Sequence, residues 1–178
     1  MEVKAYVTNL GKYNEGELVG EWVTFPIDED EQAELFERIG IDTEPNEDGE
    51  YYEEYFMTDY DCDIDLYRYY EEYVDINTLN ELAELLEFVD EDKLDAVMEV
   101  ESYKTIEDYV EAMDNYEYIN GMTDADYEEE LFYESIDTDA YKLLTSGWIS
   151  GYVTIDFEQM AIDDDYITET SNGLLIQR

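Results

Sequence analysis

The sequence predicts a mixed α+β fold, on three observations. Both ends carry short runs with the period of a strand, and the stretch between them carries the period of helices. In addition, 15% of the residues are aromatic. That last figure decides between a folded and a disordered chain. There are 52 Asp and Glu against eight Lys and Arg, no His, and a net charge of −44. With a mean hydropathy of −0.56, such a balance usually means disorder. Acidic disordered segments are poor in aromatics, however, whereas this chain has 19 Tyr, six Phe and two Trp with only two Pro. It therefore has apolar surface to bury. Its 178 residues allow one ordinary domain or two to three very small ones.

Val3, Ala5 and Val7 alternate with Lys4, Tyr6 and Thr8, the pattern of a half-buried strand. Gly11, Gly16 and Gly20 punctuate the connection to a second strand through Trp22–Phe25, which stops at Pro26. Residues 29–39 read as a helix with Ala33, Phe36 and Ile39 on one side and Gly40 as its stop. Pro45–Gly49 is a loop, and 51–60 a third strand mixing tyrosines with carboxylates. From 64 to 116 the period is helical. Thr78 and Glu81 form a capping-box pair ahead of the stripe Leu79, Leu82, Leu85, Leu86 and Val89. A further helix covers 91–100, and Thr105 with Asp108 caps another that turns Ile106, Tyr109, Val110 and Met113 inward. Residues 124–134 repeat the theme. Gly147–Phe157 reads as a strand, and Asn172-Gly173 as the turn of a hairpin between Tyr166–Thr170 and Leu174–Gln177. The expected organisation is three small lobes: 1–63, a sheet with a helix; 64–104, a helical middle; and 105–178, a mixed C-terminal lobe.

The charge excludes whole classes of function. A chain this acidic repels nucleic acid and anionic lipid, so neither direct nucleic-acid binding nor membrane association is expected. Without His and with the single Cys62, it has no Ser-His-Asp triad, no Cys-His dyad, no His-ligated metal and no internal disulfide. No apolar run approaches the length of a membrane span, and no basic segment precedes an apolar one. The expectation is a soluble, cytoplasmic protein that is not an enzyme and carries neither cofactor nor metal. Asp61-x-Asp63-x-Asp65 with Glu72 matches the ligand spacing of a calcium loop. Leu66 stands where that loop needs glycine, so the run reads as an exposed acidic junction. Asp163-Asp164-Asp165 reads as a solvated run, and carboxylate pairs in general discriminate nothing in a chain with 52 acids.

What remains is the pattern of the acids. Glu81, Glu84, Glu87 and Asp90 follow one another at three-residue spacing, and Glu107, Asp108, Glu111 and Asp114 occupy the outer face of the next capped helix. Glu128 and Glu129 open a third set. Helical residues three or four apart lie about 5–6 Å from one another. Duplex DNA carries one charge per about 1.7 Å, so 44 charges correspond to about 75 Å of duplex, or about 22 base pairs. On these residues alone, imitation of DNA and a salt-adapted acidic surface of unrelated function stand side by side.

The segment Leu10-Gly11-Lys12-Tyr13-Asn14-Glu15-Gly16-Glu17-Leu18-Val19-Gly20-Glu21-Trp22, continuing to Phe25-Pro26-Ile27-Asp28, resembles the N-terminal signature of the ArdA antirestriction proteins. These are small acidic DNA mimics carried by conjugative elements and phages. Weaker similarity runs through Glu53-Glu54-Tyr55, Asp59-Tyr60, Leu79–Leu86 and Ile136–Tyr141, so that the resemblance covers residues 1 to about 145. It implies an elongated, curved α+β chain of three small lobes that dimerises through the C-terminal one. The implied partner is a type I restriction-modification enzyme, whose DNA-binding groove in the methyltransferase core the mimic occupies. A homodimer would match about 44 base pairs by the same arithmetic. Inhibition of another nucleic-acid-binding defence system, such as a CRISPR effector, would use the same surface. After Tyr141 this chain reads Lys142-Leu143-Leu144 where relatives have a Gly-Arg-Asp-Leu-like run.

Overall fold

In the computed structural model of the chain, residues 1–42, 45, 49 and 51–178 are described. The loop expected over Pro45–Gly49 falls largely outside them. The fold is mixed α+β, with two antiparallel three-stranded sheets and two compact units, Met1–Val89 and Asp90–Arg178.

In the first unit β1 (Val3–Asn9) lies between β2 (Gly20–Phe25) and β3 (Tyr55–Asp61). Alternation fixes its faces: Val3, Ala5 and Val7 are fully buried. They pack in a core with Phe25 and Met57 from the flanking strands, Leu35 and Ile39 from α2 (Glu29–Ile39), and Leu79, Leu82 and Leu86 from α3 (Ile76–Leu86). The glycine-punctuated connection after β1 contains a one-turn helix, α1 (Leu10–Asn14). Helix α2 begins with a full capping box between Asp28 and Glu31 and ends at Gly40, whose φ of 75° is the left-handed cap that glycine adopts without strain. Its buried pair is Leu35 and Ile39. Ala33, expected inward, is exposed because the apolar stripe is phased on those two larger side chains.

Three further expectations in this unit are corrected. The third strand begins at Tyr55, not Tyr51. Helix α3 starts three residues earlier than the Thr78–Glu81 pair suggests: Asp75 is the N-cap, and its carboxylate accepts from Thr78 N at 2.9 Å. An aspartate before an apolar residue competes for the cap as well as a threonine does. Residues 64–75, expected helical, contain one 3₁₀ turn, Leu66–Arg68.

The second unit is built on β6 (Gly173–Gln177), which lies between β4 (Tyr116–Asn120) and β5 (Ile167–Glu169). The hairpin expected at Asn172-Gly173 is present but turns one residue earlier: Thr170 N donates to Gly173 O at 2.8 Å, so Ser171 and Asn172 form the turn and Gly173 is the first residue of β6. Helices α4 (Glu91–Val100) and α5 (Ile106–Ala112) bury Leu94, Ala96, Val97, Ile106 and Tyr109. Helix α6 (Asp124–Ser135) is followed by α7 (Thr138–Thr145) and α8 (Phe157–Ile162). Ala161, Ile167 and Leu174 form a small cluster covered by Met122, Tyr127 and Ile176. The strand expected over Gly147–Phe157 is absent; that stretch is turns and irregular backbone leading into α8. Its aromatic residues do not alternate into a core, since Trp148 is 79% and Tyr152 86% exposed.

Candidate functional site

The candidate surface is built from helices whose inner faces are held rigidly. On α3, Ile76, Leu79, Leu82, Ala83 and Leu86 are buried. Glu81 and Glu84 on its outer side, and Glu87 at its C-cap, are exposed. Asn80 fixes the helix further, accepting from Ile27 N at 2.8 Å and donating to Ile27 O at 2.9 Å. On α5, Ile106, Tyr109 and Ala112 point inward, while Glu107, Asp108 and Glu111 are exposed, as is Asp114 in the 3₁₀ turn that follows. Neither α3 nor α5 contains a Lys or Arg. Acids at three- and four-residue spacing therefore meet no cation on their own helix, and repel one another by a few tenths of a kcal/mol per pair, about 0.2–0.5.

Not every acid in these sets is displayed. Asp90 is exposed, but it is the N-cap of α4 and accepts from Lys93 N at 3.1 Å. Asp28, Asp75, Asp137 and Asp156 serve α2, α3, α7 and α8 in the same way. Each places a negative charge at the positive end of a helix dipole. Glu129 is exposed on α6. Glu128, expected among the displayed acids, is only 7% exposed. Its pKa is raised, first by burial, then by the charge of Asp164 and a hydrogen bond with it, then by Asp124.

Lys4, Arg38 and Arg68 pair with acids outside the α3 and α5 rows. Lys4 Nζ lies 2.8 Å from Glu2 and 3.7 Å from Asp61, and Arg38 Nε lies 2.8 Å from Glu21. Arg68 Nε is 3.3 Å from Asp65. The Asp61–Asp65 run is thus shared between two cations. Tyrosines also hold carboxylates: Tyr52 OH donates to Glu15 and Tyr67 OH to Asp59, each at 2.7 Å. Tyr116 OH donates to Glu101, which, with burial, pushes its pKa up to about 12. Tyr60 is likewise pushed up to about 12, mainly by burial. The amphipathic phenol closes small cores while its hydroxyl stays among carboxylates.

Among the described residues no group of three or more His, Cys, Asp or Glu could hold a metal ion, and no helix is long and apolar enough to cross a membrane. Fold and surface together define an acidic α+β protein whose exposed carboxylates stand in rows on helices, α3 and α5, that carry no Lys or Arg. Comparison with known families gives that surface its context: the family model for the antirestriction protein ArdA matches residues 5–175. The chain belongs to the ArdA family of antirestriction proteins. The match extends beyond the segment ending near residue 145 that the sequence itself brings out, and takes in α8, β5 and most of β6. No individual curated protein matches the chain.

Proposed function

We propose that the protein inhibits a type I restriction-modification enzyme by occupying, as a homodimer in the cytoplasm, the DNA-binding groove of its methyltransferase core. The reading is carried by one observation: the exposed carboxylates Glu81, Glu84 and Glu87, and Glu107, Asp108 and Glu111, stand at helical spacing on helices without a single basic residue. Lys and Arg side chains that normally hold phosphates would pair with these carboxylates instead. Asp90, Asp114 and Glu129 contribute further exposed charge. Inhibition of this kind is stoichiometric and involves no bond making. The C-terminal region from 105 onward supplies the dimer contact.

A displacement titration tests it. A type I methyltransferase complex is bound to fluorescent DNA at near-physiological salt, and the protein is added beside an acidic peptide of matched composition. Displacement near one dimer per enzyme, with the peptide inert, is the expected result. Equal displacement by the peptide would reduce the effect to bulk charge, and no displacement would reject this enzyme as the partner.

A further inference from the structure

The first unit carries a feature that the carboxylate rows do not use. On the sheet face opposite the core, Trp22 of β2, Tyr6 of β1 and Asp59 of β3 stand in one cross-strand row. Asp59 reaches that row through a bulge. Between Tyr6 and Val7 the register shifts, leaving Thr58 as the extra residue on β3. Continued without the bulge, the pairing would set Asp59 opposite Ala5, on the core face. The row opens into a cavity of about 660 Å³, lined also by Tyr13 of α1 and by Glu72 and Tyr73 ahead of α3.

The rings are ordered by one another. Tyr6 meets Trp22 edge-on with centroids 5.6 Å apart, and its hydroxyl donates to Gly20 O at 2.9 Å. Phe56 lies behind, 5.1 Å from Tyr13 and 6.1 Å from Tyr73. Even so, Trp22 is 46%, Tyr13 49% and Tyr73 68% exposed. Asp59 accepts from Tyr67 OH and Tyr60 N, both on Oδ1. Aromatic faces carry negative potential, and two carboxylates add to it, so the cavity disfavours anions and favours an organic cation. Two carboxylates are too few oxygens for calcium, which takes six to eight. A planar guanidinium satisfies both parts of the wall, stacking on a ring while its N–H groups reach a carboxylate.

We propose that this cavity receives an arginine side chain of the protein partner. It would form a local anchor within an interface otherwise spread over the carboxylate rows. The identity of the partner rests on the function proposed above; the chemistry of the cavity does not. Trp22 and Trp148 are the two tryptophans, so the full-length Trp148→Phe protein reports on the cavity by the emission of Trp22. The probe is a short blocked peptide with one arginine, and the control is the same peptide with citrulline. A saturable change with arginine and none with citrulline is expected. Glu72→Gln and Tyr73→Ala should each weaken it about tenfold, and Glu37→Gln, at an exposed position of α2 outside the cavity lining, should leave it unchanged. Glu72→Gln alters charge at an exposed position without changing size, so it decides even if Tyr73→Ala fails to fold. Equal responses to the two peptides, or no effect of Glu72→Gln, would overturn the proposal. A response to spermidine without one to the arginine peptide would overturn the protein side chain as occupant. DNA displacement from the methyltransferase, read on the same samples, separates the two readings. Peptide binding without displacement supports the cavity and rejects the enzyme; displacement unaffected by Glu72→Gln, with no peptide binding, rejects the cavity alone.

Discussion

Glu128 of α6, only 7% exposed, faces the carboxylate of Asp164 in the connection between α8 and β5. Two carboxyl groups can share a hydrogen bond only when one of them carries a proton. Burial and the Asp164 charge raise the Glu128 pKa, so the folded state holds that proton more tightly than the unfolded chain does. A carboxyl raised in the folded state contributes stability that is fully present below its unfolded value, about 4.3. That contribution is lost as pH rises through the folded value. Stability of the second unit should therefore fall across the weakly acidic range. Glu128→Gln, which keeps a donor for Asp164 at every pH, should remove that part of the fall and raise the melting temperature at pH 7. Thermal melts of both proteins across this range check it; parallel curves would mean that the pair does not titrate there.

On α3 the charges are expected to act as a set. An exposed ion pair contributes about 0.2–1 kcal/mol. Glu81→Gln, Glu84→Gln or Glu87→Gln alone should weaken displacement of DNA by less than about fivefold. The triple change should weaken it by about tenfold or more, since separate exposed sites add. Displacement titrations of the four variants decide. Abolition by one of the three single changes would replace a distributed surface with a specific site on α3.

Asp90 separates charge from structure. Asn caps a helix about as well as Asp, whereas Ala costs about 1 kcal/mol. Asp90→Asn should leave denaturant stability nearly unchanged and Asp90→Ala should lower it by about that amount. Both remove the same charge, so both should weaken inhibition equally. Unequal inhibition at equal folded fraction would show that the start of α4, rather than the charge of Asp90, is what the partner senses.

Much of this architecture is written in local chemistry. The alternation of Val3, Ala5 and Val7, the Gly40 stop and the Thr105 cap each appear where the sequence places them, and the C-terminal hairpin turns one residue before the Asn172-Gly173 pair that signals it. The two misread strands share a cause: aromatic residues that look buried are not. Tyr51 and Tyr152 extend apparent strands but are exposed, because a phenol tolerates water and so carries little information about facing. The inward position of Glu128 had one signal, its place between Ala125 and Phe132 on the face of α6 that meets α8. Nothing in the run Glu128-Glu129-Glu130 marks which acid turns inward. The bulge at Thr58 that assembles the aromatic cavity depends on pairing across three strands and has no local signature.

Salt should stabilise this protein. Glu107 and Glu111 are exposed one turn apart, as Asp108 and Glu111 are three residues apart, with no cation on α5 between them. Each like-charge pair destabilises by about 0.2–0.5 kcal/mol, and the net charge of −44 adds a longer-ranged repulsion. The Debye length is about 10 Å at 0.1 M salt and about 3 Å at 1 M. Repulsion between groups about 5–6 Å apart is therefore screened only toward the upper end of that range. The melting temperature should climb steeply at first, as long-range repulsion is screened, and more gently thereafter. Glu107→Gln with Glu111→Gln should raise it at low salt and flatten the gentler part of the curve. A melting temperature independent of salt would mean that bound counterions already neutralise the rows, and a surface so neutralised would compete poorly with DNA for a basic groove.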